Sequence, residues 1–169
     1  MTEIEVVRGV EVPKASPKRR HAQLQWVIAE ILGAWAGNAG EVGTEWRFWL
    51  TKPGESTETT LVPDVAYVSV ARMAELSDDE AEEPPFAPDI AVEIRSPGDR
   101  ERNIETKIHL YLGAGSRLVL DVDSVRRCVV GHDQHGSRTF DEAVIFEHSE
   151  APGLSFSVRE LFARSDRKR

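Results

Sequence analysis

The sequence predicts an α/β fold, a mixed β-sheet core flanked by helices, on three observations. In Pro88-Asp89-Ile90-Ala91-Val92-Glu93-Ile94-Arg95-Ser96-Pro97, the residues Ile90, Val92 and Ile94 alternate with Ala91, Glu93 and Arg95, the period of a strand. Between His21 and Ala36, Leu24, Val27, Ile28, Ile31, Leu32 and Trp35 recur at helical spacing. A second helical face, Ile104, Lys107, Ile108 and Tyr111, separates the strand at 89–95 from a strand at 117–122.

The remaining elements follow in order. Residues 13–20 hold Pro13, Pro17 and four cations, a polar lead-in to the first helix, which Gly37-Asn38-Ala39-Gly40 stops. Residues 44–51 alternate Trp46, Phe48 and Leu50 with Glu45, Arg47 and Trp49, a predicted strand. Lys52-Pro53-Gly54-Glu55-Ser56 is a turn, and 60–70 a second strand with Pro63-Asp64 near its start. The polar stretch after it is a loop with a short helix over 71–76. Ser96-Pro97-Gly98-Asp99 is a turn, and Gly113-Ala114-Gly115 a helix stop; with no strand leading into a helix there, it is no phosphate loop. Strands at 126–131 and 143–147 and a helix at 157–163 complete the domain, without internal repeats.

Composition narrows the function classes. A chain of 169 residues, 40% hydrophobic, is one domain with a proper core. No apolar run approaches the roughly 20 residues that span a bilayer. Residues 1–12 lack the pattern of a signal peptide. The single cysteine, Cys128, excludes an internal disulfide and a multi-cysteine zinc site, reads as a buried strand residue, and points to the cytoplasm. A net charge of −8 argues against nucleic acid at first sight, but Glu75, Asp78, Asp79, Glu80, Glu82 and Glu83 supply six of those charges, leaving −2 without them. Cations gather at Lys14, Lys18, Arg19 and Arg20 and at Arg164, Arg167, Lys168 and Arg169, as solvated tails or as phosphate contacts.

Charge on an otherwise apolar strand is costly unless something pairs with it. Asp89, Glu93 and Arg95 therefore mark the strand at 89–95 as part of a site. If that strand and the one at 60–70 are antiparallel neighbours, the start of one lies beside the end of the other, and Asp64 meets Glu93. Asp89, four residues earlier, is roughly 13 Å from Glu93 at ~3.3 Å per residue, out of reach of the same ion. Lys107, at the edge of the second helix's apolar face, points at the sheet. Two carboxylates and a lysine suit metal-assisted phosphodiester hydrolysis, with hard oxygen ligands favouring Mg²⁺. Arg95 could meet the same phosphate. A purely structural arrangement fits the spacing too: an ion pair of Glu93 with Lys107, and Asp64 capping a turn after Pro63.

The segments LVPDVAYVSV, APDIAVEIRSPGDR, KIHLYLGAGSRLVLDVD and PGLSFSVRELF, in this order, resemble the Uma2 family of endonucleases in the PD-(D/E)XK restriction-endonuclease-like superfamily. The resemblance implies a nuclease-like domain over 18–163, with an N-terminal extension at 1–17 and a basic tail at 164–169. It implies a restriction-endonuclease-like fold with a centre using Mg²⁺, or Mn²⁺ in its place. Asp64 matches the Pro-Asp aspartate and Glu93 the (D/E)XK acid. Arg95 stands where the superfamily's lysine would be, and Lys107 on the following helix matches the lysine instead. An arginine there can bind phosphate but cannot act as a base. DNA is the expected substrate, with RNA as the alternative, a homodimer or another partner as the means by which a small acidic nuclease domain holds a duplex, and no membrane partner. A non-catalytic binding or assembly module on the same fold is the rival function.

Glu45 and Glu58 are candidate further ligands. His21 matches a position that is often His in the family, though a capping or surface role suits the start of a helix better. His132 and His135 have chelating spacing but no companion ligands. Ser96 could contact phosphate.

Overall fold

The computed structural model describes residues 2–99 and 101–168. In chain order these form β1 (Ile4–Val7), β2 (Val10–Pro13), α1 (Arg19–Ala36), β3 (Gly40–Thr44), β4 (Phe48–Trp49), β5 (Thr60–Leu61), β6 (Val65–Ser69), α2 (Val70–Met73), α3 (Asp78–Glu82) and β7 (Ile90–Ile94). Then come α4 (Glu101–Gly113), β8 (Leu118–Asp123), β9 (Cys128–Asp133), β10 (Gly136–Phe140), β11 (Ile145–Glu147), β12 (Ser155–Ser157) and α5 (Val158–Asp166). The fold is mixed α/β, as the periodicities require.

A six-stranded sheet of order β10-β9-β8-β7-β6-β3 forms the centre. Its one parallel pair, β7 with β8, is bridged by α4; the other pairs are antiparallel. Parallel strands need such a crossover and are covered on both faces, which is why β7 is buried at all five positions. On one face, Leu24, Val27, Ile28 and Leu32 of α1, with Leu161 and Phe162 of α5, cover Val65, Tyr67, Ile90, Val92, Leu118 and Leu120. On the other face, Ile104, Ile108 and Tyr111 of α4 pack with Ala66, Val68, Ala91 and Val119, and with Phe48, Leu50 and Leu61. Those last three lie in and beside a second sheet, β2-β1-β5-β4. The site lies on this second face.

Several boundaries differ from the sequence reading. The strand expected at 44–51 is two pieces: β3 ends at Thr44, and only Phe48–Trp49 is extended beyond it. Glu45 between them has φ of 52°, a conformation no strand tolerates. The strand expected over 60–70 is interrupted at Pro63, which has no N–H for a ladder, into β5 and β6 in different sheets. The single helix at 71–76 is replaced by α2 and α3, the latter opened by a capping box between Ser77 and Glu80. Helix α5 runs on to Asp166, so the basic tail begins inside it; Arg169 lies outside the described residues.

The segment read as an N-terminal extension is an ordered hairpin. Arg8 and Gly9, with φ of 50° and 81°, make the two-residue turn that matches strand twist, and β1 also pairs with β5. This hairpin supplies part of the site.

The join between α1 and β3 is tight at one residue. A Cβ on Gly40 would sit 2.4 Å from the Val68 carbonyl oxygen and from the Tyr67 ring, whereas nothing lies within 4 Å of one added at Gly33 on the exposed side of α1. We expect Gly40→Ala to lower stability by roughly 1–3 kcal/mol through overpacking, and Gly33→Ala to raise it by about 0.5–1 kcal/mol. Urea midpoints of the two variants check this; equal shifts would contradict the packing.

Candidate active site

The β6–β7 pairing sets Val65 opposite Val92, and the ladder continues one step outward through Asp64 N–H, which donates to the Val92 carbonyl at 3.0 Å. Asp64 thereby arrives beside Glu93, from the strand neighbour and orientation that its Pro-Asp position suggested. Both are buried, at 1% and 3% exposure. They line one cavity of about 140 Å³ together with Glu5, Lys14, His21, Ser96, Asp99, Asn103 and Lys107.

Each acid has one oxygen tied down. Glu93 Oε1 lies 2.7 Å from Lys107 Nζ and accepts the Tyr111 hydroxyl at 2.8 Å. Asp64 Oδ2 accepts the Ile94 N–H at 2.6 Å and faces His21 Nε2 at 3.3 Å. Glu5 Oε1 accepts the Val62 N–H at 2.8 Å and lies 2.9 Å from Lys107. The other oxygen of Asp64, Oδ1, is buried without a hydrogen-bond partner, although Lys14 Nζ stands 2.8 Å away, outside hydrogen-bonding alignment. Lys14 also reaches Glu45 Oε2 and the Val62 carbonyl, each at 2.8 Å.

These contacts shift the ionisation of the cluster. Burial drives the Glu93 carboxyl up, Lys107 draws it back, and Asp64 and Glu5 repel its charge, leaving it at about 7. Burial also acts against Asp64, but the His21 hydrogen bond and the Lys14 charge outweigh it and hold that carboxyl well below the usual range. Burial opposes charge on Lys107, yet Glu93 and Glu5 keep it above the ordinary lysine value. His21 is likewise raised: burial lowers it, and the bond to Asp64 more than compensates.

The residues expected to act together divide into two sets. Asp64, Glu93 and Lys107 share the cavity. His21 joins them, against the capping or surface role expected of it: the N-cap is Lys18, and the imidazole turns to Asp64. Glu45 is one step removed, held by Lys14 and by Gln25 Nε2 at 2.7 Å. Arg95 is not available to a phosphate. Its guanidinium is forked onto Asp121 at 2.8 and 2.6 Å and onto Glu101 at 2.5 and 2.9 Å. Asp89 lies at the far end of β7, accepting the Ser69 N–H and facing Arg72 and Arg117. Glu58 is an exposed loop residue. Ser96 lines the cavity, and its N–H donates to Asp99.

Three participants were missed. Glu5 had a signal, being the one acid in a short β-branched run before an Arg-Gly turn. Lys14 had none to separate it from its cationic neighbours. Tyr111 was read as apolar helix face, and its hydroxyl's partner lies 18 residues away.

The donor set fits a hard divalent cation. Spare carboxylate oxygens, one of them buried and without a hydrogen bond, are what such an ion takes up. Among the described residues no group of three or more His, Cys, Asp or Glu is placed to form a ready cage. A wider cleft of about 480 Å³, lined by Arg8, Lys52, Glu55 and His109, has a single carboxylate and no convergence of acids.

Comparison with known proteins bears on the family and the fold. The model of the Uma2 family, described as "putative restriction endonuclease", matches residues 1–161. Among solved structures, a putative nuclease of the DUF820 family from Anabaena variabilis superposes with a TM-score of 0.81 at 21% identity, over 96% of this chain and 90% of that one. That likeness establishes the fold. No curated protein matches the sequence.

Two outcomes follow from the geometry. Glu93, raised to about 7, favours the fold below its unfolded value and loses that contribution as pH rises through 7. His21, also raised, loses its contribution over the upper part of the same window, while Asp64, depressed, loses its own only in acid. Metal-free Glu93→Gln should therefore show a shallower fall in stability between pH 5 and 8 than the parent; identical slopes in denaturant titrations would refute the Glu93 assignment. Arg95→Ala leaves the buried Asp121 without its fork and should cost about 3–5 kcal/mol in the same assay, whereas a loss under 1 kcal/mol would show the clamp to be dispensable.

Proposed function

The chain belongs to the Uma2 family, and from that premise and the geometry of the cavity we propose that it is a metal-dependent endonuclease hydrolysing phosphodiester bonds in DNA. The observation that carries the reading is the convergence of Asp64 and Glu93, from adjacent antiparallel strands, with the Lys107 amine in one cavity. Asp64 Oδ1 and the untied Glu93 oxygen would hold Mg²⁺ or Mn²⁺. A divalent ion there supplies a nucleophile at neutral pH and offsets negative charge on the phosphate.

The chain's own residues do the rest. Lys107, kept above the ordinary lysine value by Glu93 and Glu5, stays protonated and is no base; its role is to donate to a phosphate oxygen as negative charge grows there. Glu5 steers that amine from one side and Glu93 from the other. Tyr111 holds Glu93 Oε1, directing the carboxylate's remaining oxygen to the ion. His21 and the Ile94 N–H fix Asp64 in the same way.

A second reading has one observation in its favour. Glu5 and Glu93 already share Lys107, and Asp64 already has Lys14, so the cluster is compensated without any ion. On that basis the domain would be a non-catalytic nucleic-acid-binding or assembly module.

Supercoiled plasmid incubated with the protein and Mg²⁺ or Mn²⁺ separates the two. The nuclease nicks it; Asp64→Asn and Glu93→Gln abolish nicking, and Lys107→Met slows it by roughly 10²–10³-fold. Metal-independent inactivity of all four proteins on DNA and RNA would favour the module. Cleavage restricted to RNA would change the substrate and keep the chemistry.

A further inference from the structure

Lys14 occupies a position that a simple structural ion pair does not explain. Its amine is shared among Asp64 Oδ1, Glu45 Oε2 and the Val62 carbonyl, all at 2.8 Å. Two of these partners are fixed: Val62 O is backbone, and Asp64 is buried and anchored through its other oxygen. The third, Glu45, is half-exposed and held by Gln25. Among the described residues Glu45 is one of three non-glycine residues with positive φ, a strained conformation that persists where the surroundings demand it. The bend at Glu45 breaks the strand that the sequence predicts there, and it sets the carboxylate against Lys14.

We propose that Lys14 is a displaceable counter-ion of the Asp64 seat, and that Glu45 is the partner that retains it when a divalent cation takes Asp64 Oδ1. The inference rests on the nuclease reading for the identity of the ion and adds a residue pair outside its catalytic set. Asp64 Oδ1 cannot serve a lysine amine and a metal ion at contact distance together, because like charges that close repel strongly in a site shielded from water. Something cationic must leave or shift. Lys107 is held by two buried carboxylates and a shift would strand both, whereas Lys14 can move outward while keeping Glu45. Glu45 is thus a positioning residue for Lys14, acting on the ion only through it.

Mn²⁺ titration of the full chain, followed by calorimetry and by the electron paramagnetic resonance of free Mn²⁺, tests this without any turnover. Lys14→Met, which keeps the apolar stem, should tighten Mn²⁺ binding at least tenfold. Glu45→Gln, a half-exposed change that leaves the fold intact, should weaken it several-fold by leaving Lys14 on Asp64 and the Val62 carbonyl with no outward carboxylate to retain it. In the Lys14→Met background the Glu45→Gln effect should shrink towards none, which a direct contribution of Glu45 to the ion would not produce. If the parent binds Mn²⁺ and Lys14→Met is unchanged or weaker, the counter-ion role is overturned and the nuclease reading stands. If Glu45→Gln weakens binding equally in both backgrounds, Glu45 contributes directly and the pairing is overturned. Absence of Mn²⁺ binding in both the parent and Lys14→Met overturns both readings.

Discussion

Charge placed where water cannot reach governs this molecule. Glu5, Asp64 and Glu93 are each nearly inaccessible, and three carboxylates in one cavity repel as well as lose hydration. Such a cluster survives only if cations and N–H donors come to it from elements distant in sequence. Lys14 comes from the N-terminal hairpin, Lys107 and Tyr111 from α4, His21 from α1, and the Val62 and Ile94 amides from the two sheets. The architecture can be read backwards from that requirement: four elements must meet at the ends of β6 and β7, and the packing of both cores brings them there.

This explains why the N-terminal hairpin is integral. Glu5 and Val7, two residues apart, share one face of β1, so the strand that packs Val7 against the second core also delivers the carboxylate to Lys107. A hairpin that only covered sheet edge would have no need of an acid on its inner face. The same economy operates on α4, where Ile104, Lys107, Ile108 and Tyr111 share one face: three are core residues, and the fourth carries the amine, its stem lying along the apolar surface.

Much of the architecture was legible in the sequence because its strongest periodicities coincide with burial. The alternation of Ile90, Val92 and Ile94 and the spacing of α1 and α4 appear in the structure with small shifts at their ends. Asp64, Glu93 and Lys107 could be brought together from strand pairing and helical phase. What failed did so for local reasons. Trp46, Phe48 and Leu50 alternate like a strand, but a positive φ at Glu45 interrupts the backbone there, and only Phe48 and Trp49 pair in register with β5. Arg95 looked like a phosphate ligand because Asp121 and Glu101 are 26 and 6 residues away, partners that no short-range pattern reveals. Lys14 stood in a cationic stretch resembling any solvated helix start, and only tertiary packing distinguishes it from Lys18, Arg19 and Arg20; His21 was singled out by the family resemblance alone, and its contact with Asp64 is tertiary.

The different partners of Arg95 and Lys107 follow from where each can reach. Position 95 lies two residues beyond Glu93 on the same face, at the last turn of the sheet before the loop to α4. A lysine there would offer one point charge to Asp121, which stands opposite Glu93 across the parallel pair, and nothing rigid to α4. Arginine presents a planar fork that engages Asp121 and Glu101 at once, tying β8 to the first turn of α4. With that turn held, a residue six positions along the helix sits at a defined distance from Glu93. Lys107 can then reach Glu93 from the helix because Arg95 has fixed the helix to the sheet, so the amine on α4 and the fork at 95 are two sides of a single structural solution.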